Sequence, residues 1–470
     1  MKASLYAVLA SLGLAVTGQA WAAESASLEE QVKTLNARLQ QLEAQQQELS
    51  EALDEPYISA MEPEMAARLK AVESQANRQK KAALLGDSLE GVAVGAGLTM
   101  VAQDVVSGAT KQSGQLNYRA DVEISVPMNT LGNSTESELY GQFRIGQGEG
   151  IGAPDTAFSS TNATTFQRPG TDASDSTVLL GQAWYGLKLP LPIGGNPGLS
   201  RERVELNVGK IDPFAFFDGN AVSDDETASF MNQALVHNPL LDVGGDIGVD
   251  DFGFTPGLRL AYINERAAPE SYALSVGVFG AGKGASFSDS LDAPMLMVQA
   301  ETEQRLLQGM VGRYRLYAWN NERGENVDGS KARHIGVGLS LDQQVHDYTR
   351  IFARLGQQLE GKVRFDRTAT LGVEFGGSYW NRGADALGLA FGVLQVSDDF
   401  KGVVNLDLDD DGVVDVSYSA RGSEQVAELF YRYFVNSQVT LTPSVQYANQ
   451  LGGNSGEDST VVGLRTQINY

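Results

Sequence analysis

Asp407, Asp409, Asp411 and Asp415, with Gly412 among them, spell D-x-D-x-D-G-x-x-D. In calcium loops the ligands come from positions one, three, five and nine, and a glycine at six makes the sharp turn. Carboxylates this close repel one another unless a cation or water screens them, and hard oxygen ligands favour Ca2+ over transition metals. Position twelve is Tyr418, where an EF-hand has a bidentate Glu, and the flanking residues alternate like strands. The motif reads as a weak structural Ca2+ site in an outer loop or as a solvated acidic tip. No cofactor is required elsewhere. Catalytic groupings are scarce. Cys is absent, which excludes thiolate metal sites and cysteine nucleophiles, and the three histidines, His237, His334 and His346, are dispersed. Neither G-x-S-x-G nor H-E-x-x-H occurs, so an enzyme is not expected. The formal net charge of −24 argues against a nucleic-acid partner.

What remains is a set of charged side chains at alternate positions. Arg119, Arg144, Arg313, Arg315 and Arg432 share inward faces with Asp121, Glu123 and Glu428. Guanidinium forks donate hydrogen bonds to sugar hydroxyls and carboxylates. The same groups can instead pair with one another along a wall. Trp184 and Trp319 can stack on sugar faces or belong to an interfacial girdle.

Strands must carry these side chains. From Gly91 the sequence has a period of two: Leu116, Tyr118, Ala120, Val122, Ile124 and Val126 alternate with Asn117, Arg119, Asp121, Glu123 and Ser125. The pattern recurs in segments of about ten residues, as at Leu139–Ile145, Val204–Val208, Tyr314–Ala318 and Leu429–Val435. A soluble sandwich also alternates. The aromatics of Tyr317-Ala318-Trp319 and Tyr379-Trp380 suit a membrane-interface girdle, and the chain ends on an amphipathic strand closed by Tyr470. Such a terminal aromatic is the expected signal for the barrel-assembly machinery. Short turns alternate with long polar connections, such as Gln147–Ser176 and Ile211–Asp251. The expected fold is an all-β antiparallel transmembrane barrel over residues 90–470, of about 16 strands at ~24 residues per strand with its connection. In the Ile211–Asp251 connection, Ser223 and Glu226 make a capping box before a short helix, Ala228–Leu235, that either narrows the lumen or lies over its mouth.

Before the barrel, Lys2, the apolar run Leu5–Val16 and Ala20-Trp21-Ala22 read as a signal peptide over residues 1–22. Residues 23–55 follow a heptad seam, with Val32, Leu39, Gln46 and Leu53 at a and Leu28, Leu35, Leu42 and Leu49 at d. This predicts an N-terminal α-helical coiled coil in the periplasm that associates the chain, as a trimer by preference. Pro56 ends it, and residues 56–89 form a helical linker ending near Arg78, Lys80 and Lys81.

The blocks Gly209-Lys210-Ile211-Asp212, Phe216-Phe217-Asp218-Gly219-Asn220, Asp225-Glu226-Thr227 and Asn238-Pro239 resemble hallmarks of the carbohydrate-selective porins. So do Ala386–Gly392, Glu424, Glu428, Tyr431-Arg432, Thr442-Pro443, Gln446-Tyr447 and Gly452-Gly453. The resemblance implies a single-chain barrel in the outer membrane, in contact with its lipid, that passes small sugars and other hydrophilic solutes by diffusion. It adds Lys210 and Asp212 to the lumen candidates. An ion-selective or general diffusion pore is the alternative, since some members pass ions.

Overall fold

The computed structural model describes residues 91–108, 114–128, 135–151, 157–166, 175–193, 199–243, 246–247, 253–281, 292–401, 403, 414 and 416–470. The expected signal peptide, coiled coil and linker lie outside the described residues, as do Asp407, Asp409, Asp411 and Asp415.

Sixteen strands follow one another: β1 (Ala93–Gly108), β2 (Gln115–Met128), β3 (Glu136–Gln147), β4 (Thr177–Pro190), β5 (Glu202–Ile211), β6 (Thr255–Asn264), β7 (Ser271–Phe279) and β8 (Met295–Leu306), then β9 (Met310–Glu325), β10 (Lys331–His346), β11 (Thr349–Glu360), β12 (Phe365–Gly376), β13 (Ala386–Val396), β14 (Ser423–Phe434), β15 (Val439–Asn449) and β16 (Asp458–Asn469). Each pairs with its sequence neighbours, and β1 pairs antiparallel with β16 from Gly97↔Asn469 to Gly108↔Ser459, closing the barrel. Closure leaves no strand edge unpaired.

Which face is apolar decides the environment. On β9 the outward Leu316 is 61% exposed while the inward Arg315 is 7% exposed. Leu116, Leu258, Leu274, Val298, Leu371 and Leu464 are likewise exposed, whereas Gln142, Gln299, Arg354, Glu428, Gln446 and Arg465 are buried inside. A soluble barrel would be destabilised by this inversion; a barrel whose outer face meets lipid requires it. The connections divide just as unequally. One rim holds turns such as 307–309, 347–348 and 435–438, together with both ends of the barrel segment. The other holds the long connections 148–176, 212–254 and 397–422.

The described part of the 212–254 connection turns into the barrel and packs on inner faces from β7 to β16. Phe217, Leu240 and Leu241 join Phe279, Met297, Tyr317 and Trp319 in one buried cluster. Val222, Phe230 and Leu235 join Phe352, Ala390 and Phe430 in another. Each such side chain taken from water contributes about 1.5–3 kcal/mol, enough to hold a polar insertion against the wall.

Two expectations are corrected here. Tyr317 and Trp319 are not girdle residues. Both lie on the inward face at 2% exposure, where Tyr317 Oη donates to Asp218 Oδ1 (2.6 Å) and Trp319 Nε1 to Asp246 Oδ2 (3.0 Å). The helix in the connection is also only α1 (Gln233–Val236), capped by Asn232, rather than Ala228–Leu235. Ser223 does not cap it; its hydroxyl donates to the carbonyl of Leu235. The backbone groups a longer helix would need are engaged by the wall. Met231 N and Asn232 N donate to Glu428, and Arg432 donates to the carbonyl of Ala228.

Candidate functional site

The antiparallel register of β2 and β3 sets Asp121 opposite Arg144 and Glu123 opposite Gln142. All point inward because successive side chains alternate across the sheet. Asp121 bridges two guanidinium groups: Arg119 Nε donates to its Oδ2 (2.9 Å) and Arg144 Nε to its Oδ1 (2.8 Å). The polar wall continues as Gln182 Nε2 donates to Gln142 Oε1 (2.8 Å) and Asp212 N to Gln182 Oε1 (3.3 Å). Gly209, at φ +147°, lets the chain turn toward Asp212; a Cβ there would lie 2.2 Å from the carbonyl oxygen of Ala183.

Facing this wall is the inserted connection, bearing Asp212, Phe214, Asp224, Glu226, His237 and Asp242. Between them runs a cavity of about 1550 Å³, lined at the long-loop rim by Asn326 and Lys331 and at the short-turn rim by Gly97, Asn469 and Tyr470. Glu226 reaches across to the wall, its Oε1 2.8 Å from Arg119 Nη1 and 4.0 Å from Arg144 Nη2. Burial alone would raise the Glu226 carboxyl, but Arg119 and Arg144 outweigh it and hold it at about 2. Burial pushes Asp242 up to about 6 and raises Asp212 as well. For His237, burial is outweighed by Asp224, 3.4 Å away, and the imidazole rises to about 9. The His237 ring lies flat on Phe214, centroids 4.0 Å apart.

Of the residues singled out in the sequence, Arg119, Arg144 and Asp212 line the passage. Lys210 sits near its end of β5, with Nζ donating to the carbonyl of Leu180 (3.1 Å) and 5.7 Å from the Phe254 ring. Arg313 pairs with Glu303, and Arg315 with Glu301 and Asp342. Glu428 is buried beneath the inserted connection, and Arg432 is shared between the carbonyl of Ala228 and Glu374. Trp319 is sealed under the same connection, while Trp184 stacks on Tyr140, centroids 4.8 Å apart.

Sequence reasoning missed the anchors of the inserted connection. Arg354 Nε donates to Asp218 Oδ1 (3.1 Å), both groups fully buried. His334 Nδ1 lies 2.6 Å from Asp246 Oδ1 and its Nε2 3.1 Å from Asn326 Oδ1. Glu424 accepts from Phe158 N and Ser159 N, drawing part of the 148–176 connection inward too. The parity of Arg354 between Ala353 and Leu355 was a legible inward signal; its partner, far away in the chain, was not.

The family model described as carbohydrate-selective porin, OprB family, matches residues 107–470. Among solved structures, the chain is similar to the high-pH structure of Pseudomonas putida OprB, at 18% identity and a TM-score of 0.63, covering 81% of this chain and 94% of that one. The low-pH structure of the same protein gives 13% identity and a TM-score of 0.47 over 81% and 93% of the two chains. No curated relative matches the chain.

Proposed function

From the chain's membership of the carbohydrate-selective porin family, with its closed barrel placed in the outer membrane, we propose that it is a passive diffusion pore for small hydrophilic solutes, saccharides first among them. The observation that carries this reading is the polar passage between the β2–β3 wall and the inserted connection, which reaches both rims. Asp212, Gln142 and Glu123, lining it beside the Arg119–Arg144 pair, offer the hydrogen-bonding groups that a hydrated solute exchanges for water. The test is single-channel recording of the purified protein in planar bilayers, with glucose and maltose as blockers, alongside liposome swelling. Folded protein that gives neither conductance nor swelling would refute the pore.

The same proposal extends to three further sequence features. The Leu28–Leu53 seam is proposed to trimerise the chain in the periplasm; replacing Leu35 and Leu42 with Asp should then lower its detergent-solubilised mass. Asp407, Asp409, Asp411 and Asp415 are proposed to bind Ca2+ weakly, a claim that calorimetry at millimolar Ca2+ decides. Tyr470 is proposed as the signal read by the barrel-assembly machinery, so its deletion should reduce assembled protein in cells.

A further inference from the structure

Resting on the pore reading, we infer that Glu226 is an internal carboxylate ligand occupying an anion site formed by Arg119 and Arg144, and so sets the pore against anionic solutes. Each guanidinium commits its Nε edge to Asp121 and turns its terminal nitrogens toward the inserted connection. There one oxygen of Glu226 stands at 2.8 Å from Arg119 and 4.0 Å from Arg144, the place a solute carboxylate or sulfate would take. Arg119 is only 3% exposed, so an entering anion reaches it only by displacing Glu226.

Glu226 is presented by a fixed backbone. Arg465 Nη1 donates to its carbonyl (2.8 Å), Gln467 Nε2 donates to Thr227 Oγ1 (2.9 Å), and Arg432 Nη1 donates to the carbonyl of Ala228 (3.0 Å). The chain from Glu226 to Ala228 is thus tied to β14 and β16. With both wall arginines engaged, the other charged groups of the connection that line the passage are, among the described residues, Asp212, Asp224, Asp225 and Asp242 against His237. The cations Arg323, Lys331 and Arg364 lie toward the long-loop rim. An anion therefore meets carboxylates where the inserted connection faces the wall, while neutral saccharides and cations do not suffer this repulsion.

The experiment is reversal-potential recording across a KCl gradient for wild type, Glu226→Gln and Asp225→Asn, with sodium glucuronate as the probe anion. Asp225 also lines the passage and is bonded locally to Thr227, so its substitution removes the same charge without opening the arginine pair. The wild type should prefer K+ over Cl−. Glu226→Gln should move the permeability ratio toward Cl− several-fold and acquire block by millimolar glucuronate; Asp225→Asn should shift it less and gain no block. Chloride preference in the wild type, equal shifts in the two variants, or no glucuronate block in Glu226→Gln would each overturn the inference. Should Glu226→Gln fail to fold, Arg144→Gln serves: a pre-engaged arginine predicts unchanged chloride permeability, and a fall would show that Arg144 already serves anions. Conductance absent from every folded protein removes the pore reading and this inference together; conductance with unaltered selectivity removes this inference alone.

Discussion

Burial and neighbouring charge raise both Asp242 and His237 beside the passage, so each makes the folded state less favourable as pH rises, in a different pH window. Burial pushes Asp242 up to about 6. A raised carboxyl penalises the folded state at higher pH and the penalty fades as pH falls through 6, where the passage also loses a negative charge. The K+ to Cl− permeability ratio should therefore decline between about pH 7 and pH 5, and Asp242→Asn should flatten that decline; a ratio independent of pH would contradict the assignment. Glu226, held at about 2, stays ionised throughout. His237 is raised to about 9, so its contribution is complete below ~6.5 and is lost as pH rises through 9. At most it is worth roughly 3 kcal/mol. The thermal midpoint of the wild type should fall between pH 7 and pH 10 by more than that of His237→Asn. At this scale the sequence was informative wherever parity governs. Arg119, Arg144 and Arg354 point inward because their neighbours are apolar, whereas the pairing of Glu226 with Arg119 joins distant segments and no local pattern encodes it.

The inserted connection is the element on which the passage depends, and its sequence was only partly legible. Its length and polarity marked it as something other than a turn, yet the capping-box reading placed a helix at Ala228–Leu235 where the chain forms α1 over Gln233–Val236. Helix signals assume that backbone donors seek their own carbonyls; here Glu428 of β14 takes Met231 N and Asn232 N instead. Replacing Glu428 with Ala leaves those buried donors without acceptors, at a cost of about 2–4 kcal/mol. Its expected signature is a lowered thermal midpoint together with noisier, larger single-channel currents; quiet currents of wild-type size would detach the anchor from the passage. A second anchor can be tested from its packing. The ring of His334 fits against Gly324 and Gly361, and a Cβ on Gly361, already at φ +110°, would come within 2.2 Å of His334 Cδ2. Gly361→Ala should cost roughly 1–3 kcal/mol and displace His334 from Asp246, which denaturation and conductance would report together. The girdle reading of Tyr317 and Trp319 failed for a related reason. Their parity already placed Tyr317 with the inward arginines, and the buried carboxylates Asp218 and Asp246 of the connection supply the partners that make an inward aromatic stable.

Across the whole molecule the sequence was most informative, because a period of two is local and the lipid simply reverses which face is apolar. Sixteen strands follow from dividing the length by a typical repeat, and the pairing of each with its neighbour follows from short connections on one rim. The closing ladder, from Gly97↔Asn469 to Gly108↔Ser459, joins the two ends of the barrel segment. Its entropy cost is modest: each doubling of loop length adds only ~0.6 kcal/mol, so the longest closure costs roughly 2–3 kcal/mol more than a single hairpin. The kinetic consequence is larger. Until β1 meets β16, the sheet carries two open edges, each a template for another chain as well as for its own partner. Intramolecular closure is independent of protein concentration and edge-to-edge capture is not. Refolding yield into detergent micelles should therefore fall as protein concentration rises, and covalently tethering residue 91 near Tyr470 should restore it; the ladder that removes every edge from the finished barrel is the one whose delay exposes the chain to its neighbours.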